Sequence, residues 1–232
     1  MKKNNQKTLF SAPGGKSYLV PFILITSLFL LWGFAHGLLD VLNKHFQGVF
    51  TMTKAESGLV QFSTYIAYFL MALPAGMFMK RFGYKKGIIL GLCLFAVGAF
   101  AFIPAAYLHS ASPFLIALFV IACGLCILET AANPYVTVLG NPETAPRRLN
   151  LAQSFNGLGA FISAMFLSKL VLSGNHYTRE TLPIDYPGGW NAYIQFETDS
   201  MKQPYLILAL LLLIIAVVFI VSKLPRIQDE EH

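Results

Sequence analysis

Charged residues are scarce in this chain of 232 residues. Only 12% of the residues are charged and 56% are hydrophobic, whereas a soluble domain typically carries about twice that charged fraction. The shortage excludes an ordinary soluble domain, and the abundance of Phe and Gly is typical of helices packed within lipid. The net charge of +6 does not indicate a nucleic-acid surface, because the basic residues stand in short clusters between long apolar runs.

Cysteines are few, and the common catalytic motifs are absent. Cys93, Cys123 and Cys126 all lie inside apolar runs, so no disulfide framework is expected. We interpret the C-x-x-C pair of Cys123 and Cys126 as packing residues, because a metal or redox site would need further ligands and access to water. No Gly-rich phosphate loop, nucleophile elbow or H-E-x-x-H occurs. The sequence therefore predicts neither an enzyme nor a cofactor or metal site.

Long apolar runs predict six membrane-spanning helices. A bilayer core is about 30 Å thick, so a spanning helix needs roughly 20 residues. Runs of this length occur at 18–48, 57–79, 84–108, 112–139, 149–172 and 203–223. The first run is too long for a signal peptide, so no cleavable leader is expected. We predict an N-terminal tail at 1–17, a six-helix unit at 18–223 and, at 224–232, a loose tail or the start of a central loop.

The basic clusters predict how the helices are oriented. If six helices span the membrane, four clusters fall on one side: Lys2, Lys3, Lys7 and Lys16; Lys80, Arg81, Lys85 and Lys86; Arg147 and Arg148; Lys223 and Arg226. The positive-inside rule then places both termini in the cytoplasm, with the protein in the cell (inner) membrane. The segment 173–202, rich in Pro and Gly near its middle, is predicted to be an external loop.

One acid interrupts a predicted membrane helix. Glu129 follows the apolar run 114–128, Asn133 lies one helical turn further on the same face, and Pro134 should bend the helix. A charge at the centre of a membrane helix costs about 2.5–3.5 kcal/mol, so Glu129 indicates a functional site. A buried glutamate can take up and release a proton near neutral pH. The alternative is a neutral, hydrogen-bonded glutamate that locks helix packing.

A second acid lies near the end of the first predicted helix. Asp40 is about 33 Å along the helix from Tyr18, close to the far membrane interface. It also belongs to a stripe at helical spacing made by Trp32, His36, Asp40 and Asn43. Both an interface cap and a cavity-facing group fit this position.

Amide and phenol side chains form stripes on two other predicted helices. The fifth helix carries Asn150, Gln153 and Asn156, and the second carries Gln61, Tyr65 and Tyr68. Such groups donate and accept hydrogen bonds in fixed directions, which suits a polyhydroxylated ligand such as a sugar. Hydrogen bonding between helices is the alternative.

The chain also contains a weak internal repeat. Divided after the third predicted span, it gives two sets of three helices, each with one acid on its first helix. The second helices carry the similar strings 61–63 (Gln-Phe-Ser) and 153–155 (Gln-Ser-Phe). Three spans invert the second set relative to the first, so we predict an all-α membrane bundle of two inverted three-helix repeats.

Four strings together resemble the fucose:proton symporter family of the major facilitator superfamily: LFLLWGFAHGLLDVLNKHF, GLVQFSTYIAYFLMALPAGMFMKRFGYKKGIILG, CILETAANPYVTVLG and RLNLAQSFNGLGAFI. The resemblance implies half of a twelve-helix fold and monosaccharide import coupled to a proton. It further implies that Glu129 carries the proton, that Asp40 helps to load or relay it, and that Gln153 and Asn156 line the sugar cavity. With the stripes, the expected sugar-binding residues are Gln153, Asn156, Asn133, His36, Tyr65 and Gln61.

The resemblance also limits what is expected. Some relatives that carry glucose or galactose have a glutamine at the position of Glu129, so the acid favours a fucose-like substrate. The stretch 36–39 departs from the Asn-rich stretch of the family's L-fucose member. The superfamily site lies between two six-helix halves, so a second half, from another chain or a homodimer, is expected as partner. The alternatives are a permease half for glucose, galactose, a drug or another solute, and a non-transporting membrane fragment or scaffold.

Overall fold

The computed structural model describes residues 9–10, 17–167, 177 and 179–225, and their framework is all-helical as predicted. The helices are α1 (Leu19–Val49), α2 (Lys54–Phe82), α3 (Tyr84–Tyr107), α4 (Ala111–Val138), α5 (Ala145–Ile162), α6 (Gly189–Ser200) and α7 (Lys202–Val221). A 3-10 turn at Pro142–Thr144 precedes α5, and a π turn at Ser163–Leu167 follows it.

Among the described residues, five helices are long and apolar enough to cross a membrane: α1 to α4 and the stretch Gly189–Val221 formed by α6 and α7. The first four predicted spans and the sixth agree with helices to within a few residues. The predicted fifth span begins as α5 and the π turn, and its end at 168–172 lies outside the described residues. The predicted bend at Pro134 does not end α4, which continues to Val138.

The interpretation of 173–202 as a loop is wrong for its last part, because α6 occupies Gly189–Ser200. Gly188 and Gly189 have φ angles of 80° and 65°, which glycine adopts without a steric penalty. They turn the chain into α6. The helix then buries Tyr193, Glu197 and Thr198 on one face. The turn residues were visible in the sequence, but this face is mixed in polarity and gave no helical pattern.

The helices pack in a pattern that follows the inverted repeat. Helix α1 packs along α5, α4 packs along α2, and α3 contacts both α4 and α7. Exchanging α1 with α4 and α2 with α5 converts the first pairing into the second. The pairing of α1 with α5 and of α2 with α4 agrees with the predicted pair of three-helix repeats, in which α7 takes the place of α3.

Glycines allow α1 and α5 to approach closely. A Cβ atom added at Gly159 would overlap the carbonyl oxygen of Leu30, and one added at Gly33 would overlap that of Asn156. Membrane helices commonly use small residues in this way, because lipid provides no hydrophobic force to drive them together. The contact fixes the polar face of α5 against α1.

Candidate functional site

Glu129 lies where three helices meet. The residue is half-buried on α4, and its carboxyl group lies near the Tyr68 hydroxyl of α2 and the His36 ring of α1. The predicted functional acid therefore has partners from both neighbouring helices. The cluster around Glu129 also includes an aromatic side chain of α1, that of Trp32.

Trp32 connects this cluster to α1. Its indole Nε1 donates a 2.9 Å hydrogen bond to the Tyr68 hydroxyl oxygen. The His36 Nδ1 lies 3.1 Å from the Trp32 carbonyl oxygen. A carbonyl can only accept, so Nδ1 carries the proton and Nε2 of a neutral ring is left as an acceptor. The Tyr68 hydroxyl in turn can accept from Trp32 while it donates to Glu129.

Three amides continue the polar surface toward α5. Asn133 lies one turn beyond Glu129 on α4, and its Oδ1 accepts a 3.3 Å hydrogen bond from Gln153 Nε2. The Oε1 of Gln153 accepts another, also 3.3 Å long, from Asn156 Nδ2. All three residues are partly buried. We call this row of three hydrogen-bonded side chains the amide chain. Since each amide has both donors and an acceptor, the amide chain retains hydrogen-bonding groups for a ligand.

These seven side chains, which we call the polar track, cross α1, α2, α4 and α5: Trp32, His36, Tyr68, Glu129, Asn133, Gln153 and Asn156. The track combines one carboxyl group, three amides, an imidazole, a phenol and an indole. Directional donors and acceptors beside aromatic rings suit a polyhydroxylated ring with one apolar face. A group that can exchange a proton lies within the same track.

The structure brings together most, but not all, of the predicted site residues. His36, Glu129, Asn133, Gln153 and Asn156 belong to the polar track. Asp40, Gln61 and Tyr65 make none of its hydrogen bonds. Asp40 is exposed one turn beyond His36 on α1, and Tyr65 is 67% exposed on α2. Their roles in proton relay and sugar binding stay predictions.

Two track members were absent from the predicted sugar-binding set, although sequence signals for them existed. Trp32 precedes His36 by one turn in the stripe on α1. Tyr68 follows Tyr65 by three residues in the stripe on α2. What the sequence could not show is that these two stripes touch each other, which requires the packing of α1 and α2 beside α4.

Arg148 is a further residue whose role the sequence did not reveal. It was interpreted only as part of a basic cluster, yet it is fully buried. Its guanidinium donates to the carbonyl oxygens of Val136 at 3.1 Å, Thr137 at 2.6 Å and Asn141 at 3.0 Å. It also donates to the Thr144 hydroxyl at 2.6 Å and to the Leu9 carbonyl at 3.3 Å. Arg148 thus fixes the connection between α4 and α5, which sets the height of Gln153 against Asn133.

Comparison with known sequences gives one family model, described as Major Facilitator Superfamily, which matches residues 18–231. The L-fucose-proton symporter of Escherichia coli (strain K12) is 44% identical over 218 residues, covering 94% of this chain and 50% of the relative. A glucose/galactose transporter of Brucella abortus is 42% identical over 216 residues, covering 93% and 49%. This chain therefore spans about half the length of the curated relatives it matches.

Solved structures agree with the fold. A crystal structure of the transporter FucP in the outward conformation superposes with a TM-score of 0.80 at 44% identity, over 94% of this chain and 53% of that one. A structure of the E. coli fucose:proton symporter gives a TM-score of 0.78 at 43% identity, over 90% and 50%. The seven helices described above thus have the arrangement of half of such a transporter.

Proposed function

The chain belongs to the Major Facilitator Superfamily, and on that premise we propose that it is the N-terminal half of a proton-coupled importer of an L-fucose-like monosaccharide. The observation that carries the proposal is the polar track, in which Glu129 lies one helical turn from a chain of hydrogen-bonded amides suited to sugar hydroxyl groups. The resemblance noted in the sequence agrees with the relatives that are similar to this chain.

Glu129 is the residue proposed to couple the proton to the sugar. When protonated, its carboxyl group gains a donor and can hydrogen-bond a sugar hydroxyl without a buried negative charge. After the sugar leaves, the proton is released and the carboxylate again accepts from Tyr68. The His36 ring beside it offers a second site that can hold a proton, and exposed Asp40 is placed to exchange protons with water.

The sugar is proposed to bind along the amide chain. Asn133, Gln153 and Asn156 supply donors and acceptors, while the Trp32 ring supplies an apolar wall. Two relatives bear on the choice of substrate, namely an L-fucose-proton symporter and a glucose/galactose transporter. An acid at position 129 favours the fucose-like choice within the family that the sequence resembles. Import of glucose or galactose is the second candidate, because that relative is nearly as similar.

Alternating access requires a second half to cover the polar track. Helix α2 presents large apolar side chains that are 60–79% exposed, among them Phe62, Phe69, Leu73 and Met77. Helix α5 presents Phe155, Leu158 and Phe161, which are 38–58% exposed. We propose that another six-helix unit, a separate chain or a second copy of this one, packs on α2 and α5. The two would rock about a site near the middle of the membrane.

The proposed location is the cell (inner) membrane with both ends of this unit in the cytoplasm. Helix α2 ends and α3 begins within the Lys80–Lys86 cluster, and Arg148 joins α4 to α5 at the same end of the bundle as Leu9. Positive charge at the ends of membrane helices favours the cytoplasmic side. A protein with no transport activity, serving as a membrane scaffold, is the remaining rival class.

The experiment is uptake of radiolabelled L-fucose by cells that lack their own permease, with an imposed inward proton gradient. The chain is produced alone and together with a second six-helix half. Unlabelled L-fucose, glucose and galactose are compared as competitors. We expect uptake that requires the second half and collapses when the gradient is dissipated. Absence of labelled L-fucose uptake, with both halves present in the membrane, would contradict the proposal.

A further inference from the structure

A cavity of about 710 Å³ lies at the end of the bundle where α2 meets α3 and where α7 ends. None of its lining residues belongs to the polar track, and its walls come from the turn after α2, from Tyr135 on α4 and from residues 220–225. Among the residues that the structure describes, those lining the cavity include three lysines and no acid. Its size is that of cavities which bind small ligands.

One of the three lysines builds the cavity. The Lys85 Nζ donates 2.8 Å hydrogen bonds to the carbonyl oxygens of Ile220 and Ser222. These bonds cap the C-terminal end of α7, where carbonyl groups lack partners within the helix. The Tyr135 hydroxyl donates to the carbonyl oxygen of Pro225 and holds the segment after α7 against α4. Lys85 is therefore already engaged and brings two separate parts of the chain together.

The other two lysines remain available at the rim. Lys86 follows Lys85 at the start of α3, Lys223 follows the end of α7, and both are exposed. Their positive charges converge on one cavity because Lys85 ties α3 to α7. The nearby Phe82 ring is partly exposed, with the Lys86 Nζ 5.9 Å from its centroid. Two lysine side chains at one cavity, with no acid among its described lining residues, favour the binding of an anion.

An apolar strip leads away from the cavity along α7. Ile214, Val217, Ile220 and Val221 are 54–72% exposed on this helix, which is long and apolar enough to lie in a bilayer. A small soluble anion has no apolar part that could contact such a strip. A lipid has such a part, because its charged headgroup can bind at the lysines while its acyl chains contact the adjacent apolar surface.

We propose that this cavity binds the phosphate of an anionic glycerophospholipid, with Lys86 and Lys223 holding the phosphate and the acyl chains lying along α7. Basic clusters at the cytoplasmic ends of membrane helices commonly attract anionic headgroups. The site is independent of the polar track and of any transported sugar. It would stabilise the junction of α3 and α7, which Lys85 closes from inside.

The test measures binding of phosphatidylglycerol to the purified full chain by native mass spectrometry. Phosphatidylcholine, which is zwitterionic and has no net charge, serves as the comparison lipid, and this comparison needs no variant. The binding variant is the double substitution Lys86→Gln with Lys223→Gln. The matched control is Lys44→Gln with Lys54→Gln, which removes two exposed lysines at the opposite end of the bundle. Circular dichroism verifies that both variants keep their helices.

We expect the unmodified chain to prefer phosphatidylglycerol over phosphatidylcholine. Each lysine should contribute about a fivefold change in affinity, so the binding variant should bind phosphatidylglycerol about 25-fold more weakly. The control should change by less than about twofold, as expected for charges far from the site. An equal loss of phosphatidylglycerol affinity in the binding variant and the control, or equal binding of the two lipids by the unmodified chain, would contradict the proposed site. Displacement of the lipid by millimolar inorganic phosphate would overturn the lipid assignment in favour of a soluble anion.

Discussion

The Trp32 indole and the Tyr68 hydroxyl are joined by a hydrogen bond of 2.9 Å that links α1 to α2 beside Glu129. The same hydroxyl interacts with the Glu129 carboxyl group, so one phenol connects an aromatic wall to the proposed proton carrier. Because the bond crosses between two helices, it also reports whether α1 and α2 keep their positions when a substrate binds.

Replacing Tyr68 by Phe should weaken substrate binding. The substitution leaves the Trp32 N–H without an acceptor and Glu129 without a donor. A buried polar group that loses its partner costs about 1–3 kcal/mol, so we expect KM for L-fucose uptake to rise about tenfold. Tyr107→Phe, at an exposed position on α3, is the matched control and should leave KM unchanged. Equal kinetics for the two variants would remove Tyr68 from the site.

The amide chain gives a second test, at Gln153. Gln153→Leu breaks both 3.3 Å hydrogen bonds and places an apolar group between Asn133 and Asn156. Hydrogen bonds between membrane helices contribute about 0.6 kcal/mol on average and at most about 1.7 kcal/mol. We therefore expect a modest loss of thermal stability but at least a tenfold rise in KM. Asn150→Leu, at an exposed position one turn earlier on α5, should change KM far less.

The α1–α5 contact predicts opposite outcomes for two nearby glycines. Gly159→Ala forces a Cβ atom against the Leu30 carbonyl oxygen, whereas nothing lies within 4 Å of a Cβ atom added at Gly157. Overpacking of this kind typically costs about 1–3 kcal/mol. Thermal unfolding in detergent should show a lower Tm for Gly159→Ala and an unchanged or higher Tm for Gly157→Ala, since alanine favours helices. A lower Tm for both would mean that the close approach is not the cause.

Two adjacent arginines provide another matched pair. Arg148 is buried with five hydrogen bonds, and Arg147 beside it is exposed. A lysine offers one ammonium group in place of a planar fork of donors, so Arg148→Lys leaves buried carbonyl groups without partners. We expect a loss of about 2–4 kcal/mol, read as a lower Tm, and almost no change for Arg147→Lys. Similar Tm values would show that the hydrogen bonds of Arg148 contribute little to stability.

Five of the six predicted spans, the first four and the sixth, could be predicted with most of their bounds because bilayer thickness imposes a length that apolar runs display directly. Glu129 could be predicted for a related reason, since a charge within such a run needs an explanation. The residues that surround Glu129 could not be predicted from the sequence. Tyr68 and Trp32 each show helical spacing, but their contact depends on how α1 and α2 pack beside α4, which periodicity does not encode.

Two misreadings have physical causes as well. Arg148 stands among basic residues at a helix connection, and sequence alone does not distinguish a cation facing water from one folded inward onto carbonyl groups. Helix α6 follows a turn rich in Pro and Gly, and its buried face includes Glu197 and Thr198 beside Tyr193. A helix whose buried face is mixed in polarity shows no apolar periodicity, so its sequence resembles that of a loop.

The most direct test of the account is Glu129→Gln, assayed in the same cells for two activities. The first is exchange of labelled for unlabelled L-fucose without a gradient, and the second is accumulation of L-fucose driven by an imposed proton gradient. Glutamine has nearly the size of a protonated glutamate and can hydrogen-bond a sugar, but it cannot release a proton. We predict that exchange persists and accumulation is lost. Accumulation against a gradient by Glu129→Gln would contradict the claim that Glu129 carries the coupled proton.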